Sequence, residues 1–337
     1  MSLTICACVS SANLAVVKSV LGELLAAPAM NTFVHGTTPD AFASAKSSGH
    51  PIALLVEGGM GVDVIKDLCD DHDKKERRVK FIYSLSAGVD SYRLPDFTKQ
   101  LHGVPMHNAQ GCYSNILAEH VVFSMLYFNR SPWRIVESKR EKKWDRFNMI
   151  EARGEKVVII GYGDIGQKCG QKAAALGMKV TGIRRSGGNT VDEHGVTVRG
   201  NDALDEAIRE ADFVVGVLPG TSHTKHFFNK DVFAKMKPSA VFINIGRGQT
   251  QCEEDIVGAL NNGVIRGAAL DVFETEPLPK ESPLWTVPDD KLLLTSHCAD
   301  FTDRLMELTV TRFAEIYKDY ATSGRSDAYT VHLEKGY

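Results

Sequence analysis

Apolar residues fall into short unbroken runs that alternate with longer stretches of helical spacing. In the first third, Leu3 to Val9 reads as a strand and Ala12 to Ala27 as an amphipathic helix. Asn31 to His35 is a short strand, and Asp40 to Ser47 a small helix behind Pro39. Ile52 to Val56 is a buried strand ending at Gly58-Gly59. Val62 to His72 is a helix that runs into Asp70 to Lys80, read as a solvated charge run. Phe81 to Leu85 is a further strand. Repeated strand–helix units predict a parallel sheet with helices on its faces.

Val104 to Asn108 marks a crossing point. Beyond it lie a long apolar helix, Ser114 to Asn129, and a charged helix, Pro132 to Arg146, which carries Trp133 and Trp144. Both tryptophans are expected in packing or a subunit contact. Strands then recur at Val157–Ile160, Lys179–Ile183, Phe213–Leu218, Ala240–Ile245, Ile265–Leu270 and Lys291–Thr295. Helices are expected at Gln167–Leu176, Asp202–Glu210, Lys230–Met236 and Glu253–Leu260, with a final long one at Asp303–Tyr320. No internal repeat or flexible linker interrupts this second series.

One junction carries chemistry of its own. Val157 to Ile160 leads into Gly161, Gly163 and Gly166 at G-x-G-x-x-G spacing, and a helix follows. Gly161 permits the tight turn, Gly163 lets the backbone approach a pyrophosphate, and Gly166 lets the helix pack closely on the strand. The helix N-terminus, beginning with Asp164 and Ile165, offers free N–H groups and a positive dipole end to phosphates. A plain tight turn is the alternative, but the strand, turn and helix in series favour dinucleotide binding.

Composition sets limits. The 337 residues suit about two domains. A net charge of −3 argues against a dedicated nucleic-acid binder. No apolar run reaches the ~20 residues that span a bilayer, and the N-terminus lacks the charged region of a signal peptide. The seven cysteines are scattered without a C-x-x-C pair, which suits a reducing compartment. A cytoplasmic protein is expected, with an organelle left open.

In an open α/β sheet, ligands sit at the carboxyl ends of strands. Arg247, Asp271, Glu276 and His297 all stand at or just beyond such ends. Arginine is a permanent planar cation that grips a carboxylate bidentately. Histidine moves a proton near neutrality, and a carboxylate beside it holds the tautomer and stabilises the imidazolium. Each has a plain alternative taken alone: a helix cap for Arg247, a solvated loop charge for Glu276, a structural histidine for His297. Their joint placement after the glycine turn favours redox chemistry on an oxo-acid. In the first third, the loops Glu57 to Met60 and Ser86 to Asp90 occupy equivalent positions.

The series Gly161-x-Gly163-x-x-Gly166, Ile243-Asn244-Ile245-Gly246-Arg247-Gly248, Leu270-Asp271-Val272-Phe273-Glu274-Thr275-Glu276-Pro277-Leu278 and Thr295-Ser296-His297 resembles the D-isomer-specific 2-hydroxyacid dehydrogenases. Glyoxylate and hydroxypyruvate reductases belong to that group. The resemblance implies an α/β protein of two doubly wound parallel-sheet domains. A Rossmann cofactor domain, 107–297, is inserted into a discontinuous flavodoxin-like substrate domain, 1–106 and 298–337. It implies that Arg247 binds the substrate carboxylate and carbonyl, that His297 is the acid/base, and that Glu276 pairs with His297. Asp271 would bond the nicotinamide carboxamide. Backbone N–H groups of Ala87, Gly88 and Val89 would hold the substrate, with Met60 a candidate pocket wall or a packing residue. Leu218, Pro219, Thr224, Ile245 and Gly246 join the expected cofactor contacts. The implied assembly is a homodimer through the cofactor domain. Glutamate at 276 separates the chain from formate dehydrogenases, which place glutamine there. Ser296 departs from the proline usual before the histidine, and Asp300 from the small residue usual at its place, which leaves substrate choice open.

The strand Lys179–Ile183 ends in Arg184, Arg185 and Ser186, where an NAD site places an acid for the ribose hydroxyls. No acidic residue occurs between Lys168 and Val191. Arginines there suit a 2′-phosphate, so NADP is the expected cofactor, with NAD possible; solvated loop charges are the alternative. The expected reaction is hydride transfer between NADPH and a small 2-oxo acid. A dinucleotide-sensing corepressor-like binding protein is the second reading. An adenosylmethionine-type enzyme would explain the glycine turn but not Arg247, Glu276 and His297 in series.

Overall fold

The computed structural model describes residues 3–26, 32–71, 76–185, 188–326 and 328–332. It divides into two compact units, one made of residues 1–113 with 302–337 and the other of residues 114–301. The expected α/β architecture with parallel sheets is what forms in each.

The first unit holds β1 (Thr4–Cys8), β2 (Phe33–His35), β3 (Ile52–Val56), β4 (Val79–Ser84) and β5 (Met106–His107). They pair in parallel in the order β2-β1-β3-β4-β5, the doubly wound flavodoxin-like order. Every residue of β1 and β3 is buried, as befits strands covered on both faces. The C-terminal helix Leu305–Ser323 belongs to this unit. It packs Phe313 on Phe81 and Tyr83, and its Thr309 carbonyl accepts a 2.9 Å bond from the Tyr83 hydroxyl.

Two expectations fail here. The single helix over Ala12–Ala27 is broken into Leu14–Val20 and Gly22–Ala26. Leu21, with ψ near 1°, leaves the helical region between them, and Ala27 lies outside the described residues. Part of the charge run is not solvated. The Asp71 side chain is 1% exposed and is held by Arg77 Nε at 2.9 Å and the Arg78 backbone N–H at 3.0 Å.

The second unit contains β6 (Lys156–Ile160), β7 (Lys179–Ile183), β8 (Thr190–Val191), β9 (Thr197–Arg199), β10 (Phe213–Gly216), β11 (Val241–Asn244), β12 (Gly267–Leu270) and β13 (Leu292–Leu294). Their order is β13-β12-β11-β10-β6-β7-β9-β8. All pairings are parallel except β8 with β9. The chain winds outward from β6 in one direction and from β10 in the other, so a topological switch point lies between them. A core of Ile160, Val214, Phe228, Phe242 and Leu270 fills one face.

The β8–β9 hairpin had no sequence signal, because its strands are two and three residues long and largely polar. The charged helix ends early, at Arg140 rather than Arg146. Lys142 takes a left-handed φ of 55°, the chain reverses, and Asp145 returns to Arg134 at 2.6 Å. Trp144 is consequently 91% exposed, while Trp133 packs on Tyr127 and Phe128. No helix among the described residues is long and apolar enough to cross a membrane.

Candidate active site

The glycine turn shows three different demands. Gly161 has φ +102°, and a Cβ there would meet the Val217 carbonyl oxygen at 2.4 Å. A Cβ on Gly166 would lie 2.3 Å from the Gly161 carbonyl oxygen. At Gly163 a Cβ would meet no protein atom within 4 Å. Two glycines are therefore required by the chain itself, whereas the third faces open space at the start of helix Asp164–Ala175. Gly163 gives that helix no side-chain cap, so its first N–H groups are left for a ligand. Ile165 is half-buried in the first turn. Asp164 accepts a short hydrogen bond from Ser114 Oγ. The residues present fit a dinucleotide pyrophosphate.

Tyr162, inside the fingerprint, is a buried plug that sequence reasoning missed. Its ring fills the space a Cβ on Gly182 would take, and its hydroxyl lies where a Cβ on Gly170 would come within 2.8 Å. That hydroxyl donates to Asp192 at 2.6 Å. Burial works to raise the Asp192 carboxyl, but Tyr162 and the Val196 and His194 N–H groups outweigh it and hold it below the usual range. The first acid after Lys168 is thus spent on the hairpin. At the end of β7, Arg184 and Arg185 are exposed, with the Arg184 N–H on the Arg199 carbonyl at 3.1 Å. Ser186 lies outside the described residues.

After β10, the Thr224 hydroxyl donates to the Pro219 carbonyl at 2.6 Å and closes the loop that begins at Leu218. After β11, the chain passes Ile245 and Gly246 to Arg247. Fully buried Asn244 organises this end: its Oδ1 accepts the Gly246 N–H at 3.0 Å and its Nδ2 donates to Gln251 at 2.7 Å. Thr250 Oγ1 donates to the Arg247 carbonyl at 2.6 Å. A Cβ on Gly246 would strike the Leu218 carbonyl at 2.7 Å, and one on Gly248 the Phe273 carbonyl at 1.8 Å. Arg247 is set between two glycines because the backbone passes so close on either side. Asn244 stood inside the quoted motif, yet only its burial reveals its task.

β12 and β13 lie beside β11 in order, so their ends continue the row. Asp271 is 2% exposed. Its Oδ1 accepts from Thr295 Oγ1 at 2.6 Å and from the Cys298 N–H at 3.0 Å, and both oxygens take the Ala299 N–H at 3.2 Å. Its carbonyl accepts the His297 N–H at 2.8 Å. His297 is thereby held with φ +49°, a left-handed conformation rare for a side-chain-bearing residue. Its Nδ1 lies 2.7 Å from Glu276 Oε2, and Glu276 Oε1 accepts the Phe273 N–H at 2.9 Å. An ionised carboxylate only accepts, so Nδ1 carries the proton and Nε2 is turned to the other side of the ring. The pair is partly open, at 43% and 33% side-chain exposure.

The loops of the first unit have their own geometry. After β4, Ser84 Oγ donates to the Ser86 carbonyl at 3.0 Å, and Asn108 Nδ2 to the Ala87 carbonyl at 2.7 Å. Ala87 and Gly88 are half-buried and Val89 is buried. Met60 is 43% exposed in the turn Gly58–Gly61, so it is not a core packing residue.

The family profile described as D-isomer specific 2-hydroxyacid dehydrogenase, NAD binding domain, matches residues 122–299. The chain belongs to this family. Members are NAD(P)-dependent oxidoreductases of 2-hydroxy acids. Among solved structures, the chain is similar to a D-isomer specific 2-hydroxyacid dehydrogenase family protein from Aeromonas salmonicida, at 25% identity and a TM-score of 0.81, with 99% of this chain and 100% of that one covered. It is similar to an NADPH-dependent glyoxylate/hydroxypyruvate reductase from Sinorhizobium meliloti, in complex with NADP and sulfate, at 29% identity and a TM-score of 0.77 over the whole of both chains. A D-3-phosphoglycerate dehydrogenase from Methanocaldococcus jannaschii is 33% identical over 260 residues, 77% of this chain and 48% of that one. The chain thus spans about half the length of that relative.

Proposed function

We propose that the protein is a reductase that converts a small 2-oxo acid to its D-2-hydroxy acid, with NADPH preferred over NADH. The observation that carries the reading is the His297–Glu276 pair, 2.7 Å apart, at a strand end in line with that of Arg247. The cofactor, when bound, supplies the hydride. Gly161, Gly163, Asp164, Ile165 and Gly166 would hold its pyrophosphate, Arg184, Arg185 and Ser186 its 2′-phosphate, and Leu218, Pro219, Thr224, Ile245, Gly246 and Asp271 its nicotinamide half.

Arg247 grips the substrate carboxylate and polarises the carbonyl through its fixed cation. His297 Nε2–H gives its proton to the carbonyl oxygen in reduction and takes it back in oxidation. Glu276 fixes the ring and stabilises the imidazolium. The backbone N–H groups of Ala87, Gly88 and Val89, and the side chain of Met60, are the substrate candidates of the other unit. NADP-bound relatives and the absence of an acid at the end of β7 support the cofactor choice. We also place a homodimer contact on the second unit. There Phe123, Ile135, Val136, Met149 and Ile150 are each at least 42% exposed, an apolar surface of the kind a subunit covers.

The test is oxidation of NADPH, followed by absorbance, with glyoxylate, hydroxypyruvate, pyruvate and bulkier branched or aromatic 2-oxo acids. Turnover of a small 2-oxo acid, with a higher kcat/KM for NADPH than for NADH, is expected. No reduction of any of these acids removes the reading, and an equal or better kcat/KM with NADH removes its cofactor half.

A further inference from the structure

The loop that follows β12 carries two glutamates with matching partners. Glu276 places Oε1 on the Phe273 N–H at 2.9 Å and Oε2 against His297 Nδ1 at 2.7 Å. Glu274, two residues earlier, places Oε1 on the Glu253 N–H at 2.8 Å and Oε2 at 3.1 Å from His226 Nε2. The return bond is also made: the Glu274 N–H donates to Glu253 Oε1 at 2.6 Å. Glu253 and Glu274 thus form a reciprocal bracket, each carboxylate on the other's backbone.

Both partners of Glu274 are themselves anchored. Glu253 opens helix Glu253–Asn261, and the preceding residue, Cys252, gives that helix no side-chain cap. The Glu274 carboxylate takes up one of the free N–H groups and lies at the positive end of the helix dipole. His226 belongs to the loop that begins at Leu218. Its N–H is on the Gln249 carbonyl at 2.9 Å and its carbonyl accepts from Asn229 Nδ2 at 3.1 Å. Its φ is +49°, the left-handed conformation that His297 also has. Glu274 therefore ties its own loop to a helix start and to a cofactor-side loop. Burial raises the Glu253 carboxyl above its usual range. The Glu274 N–H opposes that, while the charges of Glu274 and Glu276 add to it. The Glu276 charge thus reaches the bracket.

We propose that Glu274 is a positioning residue for the reaction: through Glu253 and His226 it fixes the loop on which Glu276 meets His297. The inference rests on the reading of His297 and Glu276 as the acid/base pair. Only Thr275 separates Glu276 from the bracket. The bond from the Phe273 N–H to Glu276 is internal to the loop and holds its shape, not its place. Gln251 Nε2 anchors the near end, on the Val272 carbonyl at 2.9 Å. The bracket anchors the end next to Glu276. A carboxylate suits this task because it accepts from a backbone N–H and an imidazole N–H at once. Without it the stretch from Phe273 to Glu276 can swing, and a misplacement of about 1 Å costs up to ~10²-fold in rate.

A double-mutant cycle reads this directly. Glu274→Ala should lower kcat about tenfold, a part of the cost of such a misplacement, and leave the dissociation constant of NADPH, from fluorescence titration, unchanged. In a Glu276→Gln background the carboxylate being positioned is gone. There Glu274→Ala should cost little more, within the about twofold scatter of such cycles. Glu274→Gln keeps an oxygen for the Glu253 N–H and should recover most of the loss in mildly alkaline buffer, where imidazoles are neutral and His226 can accept from the glutamine NH₂. If the Glu274→Ala chain does not fold, Glu253→Ala, which removes only the acceptor for the Glu274 N–H, goes through the same cycle. Additive losses in the double variant overturn the proposal, because Glu274 would then act through something other than Glu276. An unchanged kcat in Glu274→Ala, a loss confined to NADPH affinity, or a glutamine variant as slow as the alanine one overturns it as well. A Glu276→Gln enzyme as fast as the parent overturns the acid/base reading instead, and this inference with it.

Discussion

Replacing Glu276 with glutamine separates the charge of this residue from its place in the loop. Glu276 Oε1 accepts the Phe273 N–H at 2.9 Å, and Oε2 faces His297 Nδ1 at 2.7 Å. The Phe273 donor needs an oxygen, so a glutamine turns its carbonyl there and its NH₂ toward the imidazole. Neutral His297 accommodates this by moving its proton to Nε2. The imidazolium cannot, because its Nδ1–H would then point at another donor. The lost stabilisation is that of a hydrogen bond to a charged group, about 1.5–3 kcal/mol. A Coulomb figure for charge centres ~4 Å apart runs from about 1 kcal/mol in water to about 4 kcal/mol at a surface-like dielectric. With a third or more of each side chain exposed, solvent screening keeps the true value out of the top of that range. At ~1.4 kcal/mol per tenfold, turnover should drop by about ten- to a hundredfold, with kcat/KM falling equally in reduction and oxidation because the overall equilibrium fixes their ratio.

The assay is steady-state turnover in both directions, with NADPH affinity measured separately by fluorescence titration and expected to be unchanged. Glu276→Ala provides the control. It removes the same charge and also orphans the Phe273 N–H, so it should match glutamine in kcat while unfolding at a lower temperature. A Glu276→Gln enzyme within about threefold of the parent in kcat would refute the reasoning. So would a loss confined to cofactor affinity.

Asp71→Asn should destabilise the first unit by about 3–5 kcal/mol at neutral pH, since it strips the partner from Arg77 and Arg78. Burial works to raise the Asp71 carboxyl, but the Arg78 N–H and the Arg77 guanidinium outweigh it and hold it low. Its contribution is therefore present above the unfolded value of about 4 and is lost as pH falls through the lower folded value. Hydrogen exchange of the β3 and β4 amides should show protection falling with acid in the parent and less steeply in the variant. Exchange is the right probe because Trp133, Trp144 and Trp285 all lie in the second unit. Gly166→Ala places a Cβ against the Gly161 carbonyl; it should lower both unfolding temperature and NADPH affinity. Gly163→Ala meets no protein atom and should melt like the parent while still losing NADPH affinity; unchanged NADPH binding in that variant would refute the cradle.

What was legible in the sequence was whatever local spacing dictates. Strand ends could be located because apolar runs such as Phe242–Ile245 and Leu292–Thr295 stop abruptly, and chemistry in a parallel sheet collects where they stop. Arg247, Asp271 and His297 were found in this way. What stayed hidden depends on partners distant in sequence. Asp71 looked like one more charge in a run of charges until Arg77 and Arg78 folded over it. Tyr162 occupied an unspecified position of a glycine motif, and nothing local indicates that Gly170 and Gly182 are small because its ring lies between them. Asp192 escaped notice because its hairpin is too short and polar to show a period.

Asp271 and Asp300 make the same point through opposite environments. Both are acids near His297, and the burial and partners that separate them cannot be read from the sequence. The structure commits the first to loop geometry: three separate donors converge on its carboxylate, and its own carbonyl holds the His297 N–H. Most of its hydrogen-bonding capacity is consumed in keeping the imidazole in a left-handed conformation that the loop would not otherwise choose. The second has an oxygen to which the same loop supplies nothing. A carboxylate with both oxygens engaged by one loop shapes that loop, and its removal should disturb all substrates alike.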